Sequence, residues 1–179
     1  MGPLLFIINS SKLFEVIKFH LSEAHAYTDD TQLYLPFSPD STNNQTDAVV
    51  AMERCISDIR TWMHTDKLKL NDDKTEFILI GAKQQLSKVN IASLIVWSIE
   101  FAPVTMETNF GTWFDSNLNL QDQIHKTCKS GFFLFIQYSA YPKVSVSGIS
   151  ARTLVHAFII GRIDHCYSLL SGLPSVHLL

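Results

Sequence analysis

Residues 25–35 read His-Ala-Tyr-Thr-Asp-Asp-Thr-Gln-Leu-Tyr-Leu, and this stretch decides the fold. Two short strand-like runs flank the acidic pair Asp29-Asp30. The second run alternates in polarity, with Leu33 and Leu35 on one face. Short carboxylate side chains tolerate tight backbone bends, so the acidic pair fits a turn. The stretch therefore predicts a β-hairpin that carries two carboxylates at its tip.

The acidic pair allows two interpretations. Mg²⁺ is usually bound by one or two carboxylates together with substrate phosphates, and two such ions can hold the attacking and leaving oxygens of a nucleotidyl transfer. An Asp-Asp pair in a hairpin is, however, most often only a solvated turn. The choice depends on the rest of the chain.

Length, composition and charge restrict the function classes. The 179 residues suit one domain, or one and a half small ones. An apolar content of 46% excludes a disordered chain. A net charge of −3 is not that of a general nucleic-acid binder, which shows a basic patch. Any contact with nucleic acid must therefore be local.

The cysteines and the apolar runs bear on the compartment. Cys55, Cys128 and Cys166 are odd in number and far apart, which predicts reduced, mostly buried thiols in an intracellular protein. Whether that is the nucleus or the cytoplasm stays open. No stretch is long and apolar enough to span a bilayer, so no membrane partner is expected. The apolar opening at residues 1–8 lacks a basic leader, which favours an interior segment of a longer protein over a signal peptide.

The central part of the chain predicts one long helix and several short strands. A helix is expected at residues 47–64, packed on the sheet that carries the hairpin, with Glu53, Asp58 and Arg60 facing solvent. Its apolar stripe is formed by Val49, Met52, Ile56, Ile59, Trp62 and Met63. Residues 75–80 have apolar side chains on both faces, which predicts an inner strand.

The remaining elements are short strands and then helices. Strands broken by turns are expected between residues 86 and 104, and Gly111 marks a bulge or a close backbone approach in a hairpin around it. Helices are predicted at residues 121–141 and 147–170, the second closed by a Gly-Leu-Pro triplet.

Several motifs together resemble a known family. Tyr27-Thr28-Asp29-Asp30, with an apolar strand on each side, resembles the catalytic hairpin of reverse transcriptases. The longer string at residues 25–35 is similar to the version found in LINE-type (non-LTR) retrotransposons, with Thr28 in place of the usual alanine. The resemblance extends over residues 2–174.

Two further motifs follow in the family's order. Lys74-Thr75-Glu76 resembles the motif whose lysine assists the departing pyrophosphate, although a solvated lysine at a turn would also explain Lys74. Residues 109–115 resemble the primer grip, with departures at Phe110 and Thr112, although an ordinary strand glycine in a hairpin would also explain Gly111. Residues 157–166 and 168–174 resemble the helical thumb.

The resemblance implies an α+β fold. Residues 1–116 would form a partial polymerase palm, an antiparallel sheet with a packed helix, and residues 117–179 would form a helical thumb-like region. The implied activity is RNA-directed DNA polymerase (nucleotidyltransferase), with an RNA template and a DNA primer as partners. The implied catalytic residues are Asp29, Asp30 and Lys74, of which the two aspartates bind metal. The implied nucleic-acid contacts are Tyr27, Asn109 and Gly111.

The resemblance also implies an incomplete catalytic centre. In this family the first palm aspartate and the fingers would precede Met1, so the chain is expected to be a truncated fragment that is inactive alone and binds Mg²⁺ or Mn²⁺ weakly. An exposed palm edge would favour self-association. Three alternatives stay open: a longer gene that encodes a full polymerase, a non-catalytic nucleic-acid-binding remnant, and an inert relic. Whether the chain is an enzyme stays open with them.

Overall fold

The structure is a computed structural model that describes residues 11–21, 23–27, 30–109, 111–139, 153 and 156–164. It contains helices and small sheets, so the fold class is α+β, as predicted. Its contacts divide the chain into two compact units, Met1–Val104 and Thr105–Leu179. The predicted division into palm and thumb at residue 116 stays a prediction.

The first unit contains three helices and six strands among the described residues. Residues 11–18 form helix α1. The elements after it are β1 (Glu23–Tyr27), β2 (Asp30–Tyr34), α2 (Thr42–Thr65), a 3₁₀ turn (Asp72–Lys74), β3 (Phe77–Ile78), α3 (Lys83–Leu86), β4 (Leu94–Val96), β5 (Ile99–Phe101) and β6 (Pro103–Val104).

The second unit begins with a hairpin of β7 (Met106–Asn109) and β8 (Thr112–Asp115), and α4 (Gln121–Ser139) follows it. Farther along, His156–Ile160 is π-helical and Gly161–Asp164 forms the short helix α5. The helix predicted at residues 147–170 falls within the described part of the chain only at residues 153 and 156–164, which are helical.

The described strands form four separate two-stranded sheets. Three of them are antiparallel hairpins, β1–β2, β4–β5 and β7–β8, and the fourth is the parallel pair β3–β6. The inner strand predicted at residues 75–80 is wrong, because only Phe77 and Ile78 are in a strand and β6 is its one partner among the described residues. Phe77, Ile78 and Leu79 are half-buried and Ile80 is 49% exposed, so these apolar side chains are not enclosed on both faces as an inner strand would require.

Helix α2 forms where the apolar stripe predicted it, and it begins earlier than residue 47. The hydroxyl of Ser41 accepts a hydrogen bond from the backbone N–H of Asn44 at 3.4 Å, which caps the helix. At the other end Lys67 has φ 57°, and the N–H of Leu68 donates to the carbonyl of Met63 at 2.7 Å. A left-handed residue after the last turn is a common way to end a helix.

Two hydrophobic clusters share α2. The first joins α1 to α2 and to the β1–β2 hairpin, so the expected packing of the hairpin on the long helix is confirmed; its buried residues are Leu13, Ile17, Leu21, Cys55 and Ile59. The second joins α2 to the β4–β5 hairpin, and its buried residues are Ile56, Leu94, Val96 and Phe101. Burying one such aliphatic side chain contributes about 1.5–3 kcal/mol. Because both clusters include residues of α2, packing against this helix stabilises the first unit.

Candidate functional site

The β1–β2 hairpin has one packed face and one exposed face. Ala24 and Leu33 are opposite each other and pack against the first cluster. Because directly opposite residues of an antiparallel pair lie on the same face, the pair Tyr27 and Asp30 lies on the other side. The alternation predicted for residues 31–35 is therefore confirmed.

The exposed face carries polar and aromatic side chains. Tyr27 is 68% exposed, and Asp30, directly opposite it, begins β2 and is exposed. The rings of His25 and Tyr34 meet edge to face, with centroids 5.6 Å apart, and the hydroxyl of Tyr34 donates a hydrogen bond to Gln32. Asp29 and Thr28 lie outside the described residues.

The described side chains do not complete a magnesium site by themselves. Of the predicted acidic pair, they include the carboxylate of Asp30 alone. No group of three or more His, Cys, Asp or Glu side chains able to hold a metal ion occurs in the part of the chain that the structure describes.

Lys74 lies at the end of the 3₁₀ turn and is exposed. The N–H of Lys74 donates to the carbonyl of Asn71 at 3.1 Å, and the hydroxyl of Thr75 donates to the same carbonyl at 2.9 Å. The residues just before Lys74, 69–73, line a concavity of about 510 Å³. The turn thus holds the backbone of Lys74 and leaves its side chain open to solvent.

Arg60 contradicts the prediction that it faces solvent, since it is only 9% exposed. Its guanidinium forms an ion pair with Asp72, the first residue of the 3₁₀ turn, and lies 5.6 Å from the ring centroid of Trp97 and 6.0 Å from that of Phe101. The helical pattern gave no signal for this contact, because the partner lies in a turn beyond the end of α2. Arg60 links α2 to the turn that carries Lys74.

The β7–β8 hairpin contains the residues of the predicted primer grip. Asn109 is half-buried and opposite Thr112, and Gly111 between them has φ 79°, a conformation that favours glycine. The predicted hairpin around Gly111 is therefore confirmed, while Phe110 lies outside the described residues. Nucleic-acid contact by Asn109 and Gly111 stays a prediction.

Hydrogen bonds connect the end of this hairpin to the turn before α4 and to the first turn of α4. The carboxylate of Asp115 accepts hydrogen bonds from the N–H groups of Asn117 and Leu120, both at 3.1 Å. The buried side chain of Gln123 accepts one from the N–H of Trp113 at 3.0 Å. Asp115, the last residue of the motif, therefore has a structural role in the turn.

Comparison with known proteins identifies no relative. No family model, curated protein or solved structure matches the chain. Among the described helices, none combines the length and the apolar character that crossing a bilayer requires.

Proposed function

We propose that the chain is a palm and thumb portion of an RNA-directed DNA polymerase of the LINE-type retrotransposon class, and that residues 1–179 alone do not extend a primer. The observation that supports the proposal best is the β1–β2 hairpin. Asp30 begins β2 opposite Tyr27 on its exposed face, while Ala24 and Leu33 pack the other face on the first cluster, to which α2 contributes. This is the hairpin and packed helix that the resemblance implies for a palm.

The order of the motifs is the second support. The acidic hairpin comes first, the turn that ends at Lys74 follows it, and the hairpin around Gly111 comes third. In this proposal the carboxylates of Asp29 and Asp30 bind Mg²⁺ weakly, Lys74 neutralises the departing pyrophosphate, and Asn109 and Gly111 contact the primer. The proposed lack of activity follows from this weak metal binding. Phosphoryl transfer depends almost entirely on positioning and electrostatic stabilisation, and a weakly held Mg²⁺ would supply little of either.

The proposed metal binding by Asp29 and Asp30 is tested with Mn²⁺, a paramagnetic substitute for Mg²⁺. In ¹H–¹⁵N spectra, Mn²⁺ should broaden the amide signals of Tyr27 and Asp30 before others. This selective broadening should disappear in Asp29→Asn and Asp30→Asn. The matched control is Asp47→Asn, an exposed acid in the first turns of α2, which should leave it unchanged. Equal broadening in all three variants would remove the metal role.

The nucleic-acid arm is tested by fluorescence anisotropy with an RNA–DNA hybrid at several salt concentrations. Weak binding with a shallow salt slope is expected. A chain with a net charge of −3 has few basic side chains free to neutralise phosphates and release their counterions. Tyr27→Ala and Asn109→Ala should weaken binding several-fold. The matched controls Phe19→Ala (87% exposed) and Asn43→Ala (exposed) should not.

Primer extension on an RNA template separates the alternatives. No incorporation together with hybrid binding that depends on Asn109 is the expected result, and it favours a fragment or a non-catalytic remnant. Incorporation that Asp29→Asn abolishes would overturn the proposed inactivity and make this chain an enzyme. A folded sample that neither binds the hybrid nor extends the primer would favour the inert relic.

A further inference from the structure

Ser38 lies in a segment whose backbone is open to solvent-borne partners. Residues 35–38 connect β2 to the turn before α2 and belong to neither a helix nor a strand. Ser38 is exposed, and its hydroxyl forms no hydrogen bond with the described residues. Because a residue before proline is biased towards extended conformations, Pro39 favours an extended Ser38. A serine presented in this way suits an enzyme that binds its substrate as an extended segment.

The neighbouring hydroxyl groups have structural roles instead. The hydroxyl of Ser41 caps α2, and that of Thr46 donates a hydrogen bond to the carbonyl of Thr42 at 3.0 Å. Ser38 is also the only serine or threonine of the sequence that proline follows. A serine followed by proline is the minimal pattern that proline-directed protein kinases recognise. The sequence and the geometry therefore select the same hydroxyl.

A cation lies beside this segment. Nε2 of Gln45 donates to the carbonyls of both Pro39 and Lys88, at 2.8 and 3.0 Å, so the two loops lie against each other. Nζ of Lys88 is 2.6 Å from the carboxylate of Asp40, and both side chains are more than half exposed. An exposed lysine can turn towards a second anion nearby. A negative charge placed on Ser38 would therefore have a partner.

We propose that Ser38 is a phosphorylation site for a proline-directed protein kinase and that Lys88 pairs with the phosphate. Oγ of Ser38 attacks the γ-phosphorus of ATP, the bond from that phosphorus to the oxygen of the departing ADP breaks, and the hydroxyl proton passes to the catalytic base of the kinase. The phosphate carries a charge of about −1.5 to −2 at pH 7. Asp40 repels this charge and Lys88 attracts it, so the ammonium group is shared and ties residues 36–40 to the loop at residues 88–90.

A docking motif for a proline-binding domain is the competing interpretation of residues 36–39. Their Pro-x-x-Pro pattern is one that aromatic grooves bind as a polyproline helix. Both prolines enter such a groove. Pro36 is exposed, but Pro39 is half-buried and its carbonyl is held by Gln45. The more accessible group is the hydroxyl of Ser38, which favours modification over docking.

This proposal goes beyond the polymerase proposal, because Ser38 lies in none of the motifs that carry the resemblance. The first test treats the folded chain with a proline-directed kinase, ATP and Mg²⁺ and maps the phosphate by mass spectrometry. Phosphate should appear at Ser38 and disappear in Ser38→Ala and in Pro39→Ala, which keeps the serine. Ser87→Ala removes another exposed serine, one that lysine follows, and should leave the reaction unchanged. A folded chain that gains no phosphate at Ser38 would overturn the proposal.

A synthetic peptide of residues 33–43 measures whether the fold presents the serine. The folded chain should react within about tenfold of the rate of the peptide, because no helix or strand has to open first. A larger deficit would mean that the segment reacts only after local unfolding, and would overturn the proposal. Binding of the chain to an SH3 domain that Pro36→Ala abolishes, together with no phosphate at Ser38, would assign residues 36–39 to docking.

Phosphorus NMR of the phosphorylated chain tests the role of Lys88. A nearby cation favours the dianionic phosphate, so the midpoint of the ³¹P shift titration should rise by about half a pH unit in Lys88→Gln, the effect of one exposed ion pair. Lys83→Gln, which removes an exposed lysine of α3, is the matched control and should leave the midpoint unchanged. Equal midpoints in the original chain and Lys88→Gln would overturn the proposed pairing.

Discussion

The carboxylate of Asp72 accepts a hydrogen bond from Nη2 of Arg60, which precedes it by twelve positions in the chain. This ion pair joins the buried side of α2 to the 3₁₀ turn that ends at Lys74. The side chain of Arg60 is 9% exposed and that of Asp72 is 28% exposed. The pair therefore fixes the start of the turn from inside the first unit.

Removing the acid from this pair should destabilise the chain strongly. Asp72→Ala leaves the buried guanidinium of Arg60 without its counter-charge, and breaking a buried pair in this way costs about 3–5 kcal/mol. Because Asp72 is partly solvated, we expect a loss of about 3 kcal/mol in the free energy of unfolding, measured with urea. The neighbouring exposed acid gives the control: Asp73→Ala should change stability by less than about 0.5 kcal/mol. Equal effects would contradict the assigned pair.

Cys55 should make the stability fall at high pH. It is completely buried, and burial, helped by the nearby charge of Asp58, raises the pKa of its thiol to about 11 from 9.0. The folded state therefore keeps this proton at pH values where the unfolded chain has lost it. The contribution is fully present below pH 9 and is lost as the pH rises from 9 to about 11. Two pKa units correspond to about 2–3 kcal/mol.

The measurement compares the chain with Cys55→Ala. The difference in unfolding free energy between the two should be constant from pH 7 to 9 and should then shift by about 2 kcal/mol towards the variant by pH 11. Taking the difference removes the titration of lysine and tyrosine side chains, which both proteins share. Cys128→Ala, at an exposed cysteine, should show no such shift. A pH-independent difference for Cys55→Ala would mean that the thiol titrates normally.

The sequence pattern predicts elements that depend on local periodicity and fails where a partner is distant. The stripe from Val49 to Met63 predicts α2, because a buried helical face repeats every three to four residues. The same pattern places Arg60 outside, since nothing in it points to the carboxylate of Asp72. The parallel pairing of Phe77 with Pro103 is equally invisible, because a two-residue strand has no period.

In the candidate site, too, the sequence predicts the positions that local alternation determines and misses those that distant contacts determine. The alternation of residues 31–35 correctly places Leu33 inward and Tyr34 outward, which puts Asp30 at the start of the exposed strand. The contacts of Trp97 with Ser57 and Arg60 give no such signal, because they join residues that are far apart in the sequence. A residue fixed by tertiary contacts can only be found once those contacts are known.

Two glycines of the second unit should respond to alanine in opposite directions. Gly111 has φ 79°, where a side chain is strained, so Gly111→Ala should lower the unfolding free energy by about 1–2 kcal/mol. Gly131 lies within α4 and a Cβ there would meet nothing within 4 Å. Gly131→Ala should therefore raise stability by about 0.5–1 kcal/mol. Thermal unfolding of both variants checks the pair of signs, and destabilisation by both would contradict the assigned geometry at Gly131.

Gln45 should hold two loops to the first turn of α2. It is 5% exposed, and its Nε2 donates to the carbonyls of Pro39 and Lys88 at 2.8 and 3.0 Å. Its Oε1 accepts a hydrogen bond from the N–H of Asn90 at 2.8 Å. Gln45→Leu keeps the volume but leaves three backbone groups without this partner. Each unsatisfied group costs about 1–3 kcal/mol, less where water can reach it, so we expect a total loss of about 2–4 kcal/mol.

Hydrogen exchange separates this network from a general loss of packing. In Gln45→Leu the amide of Asn90 should exchange at least about tenfold faster, because its acceptor has gone, while amides in the middle of α2 should change only as much as global stability does. Gln84→Leu makes the same substitution at an exposed position of α3 and should affect neither quantity. If the amide of Asn90 keeps its protection from exchange in Gln45→Leu, the loop at residues 88–90 is held by other contacts. The side chain of Gln45 would then stabilise the chain through its packing volume and not through its hydrogen bonds.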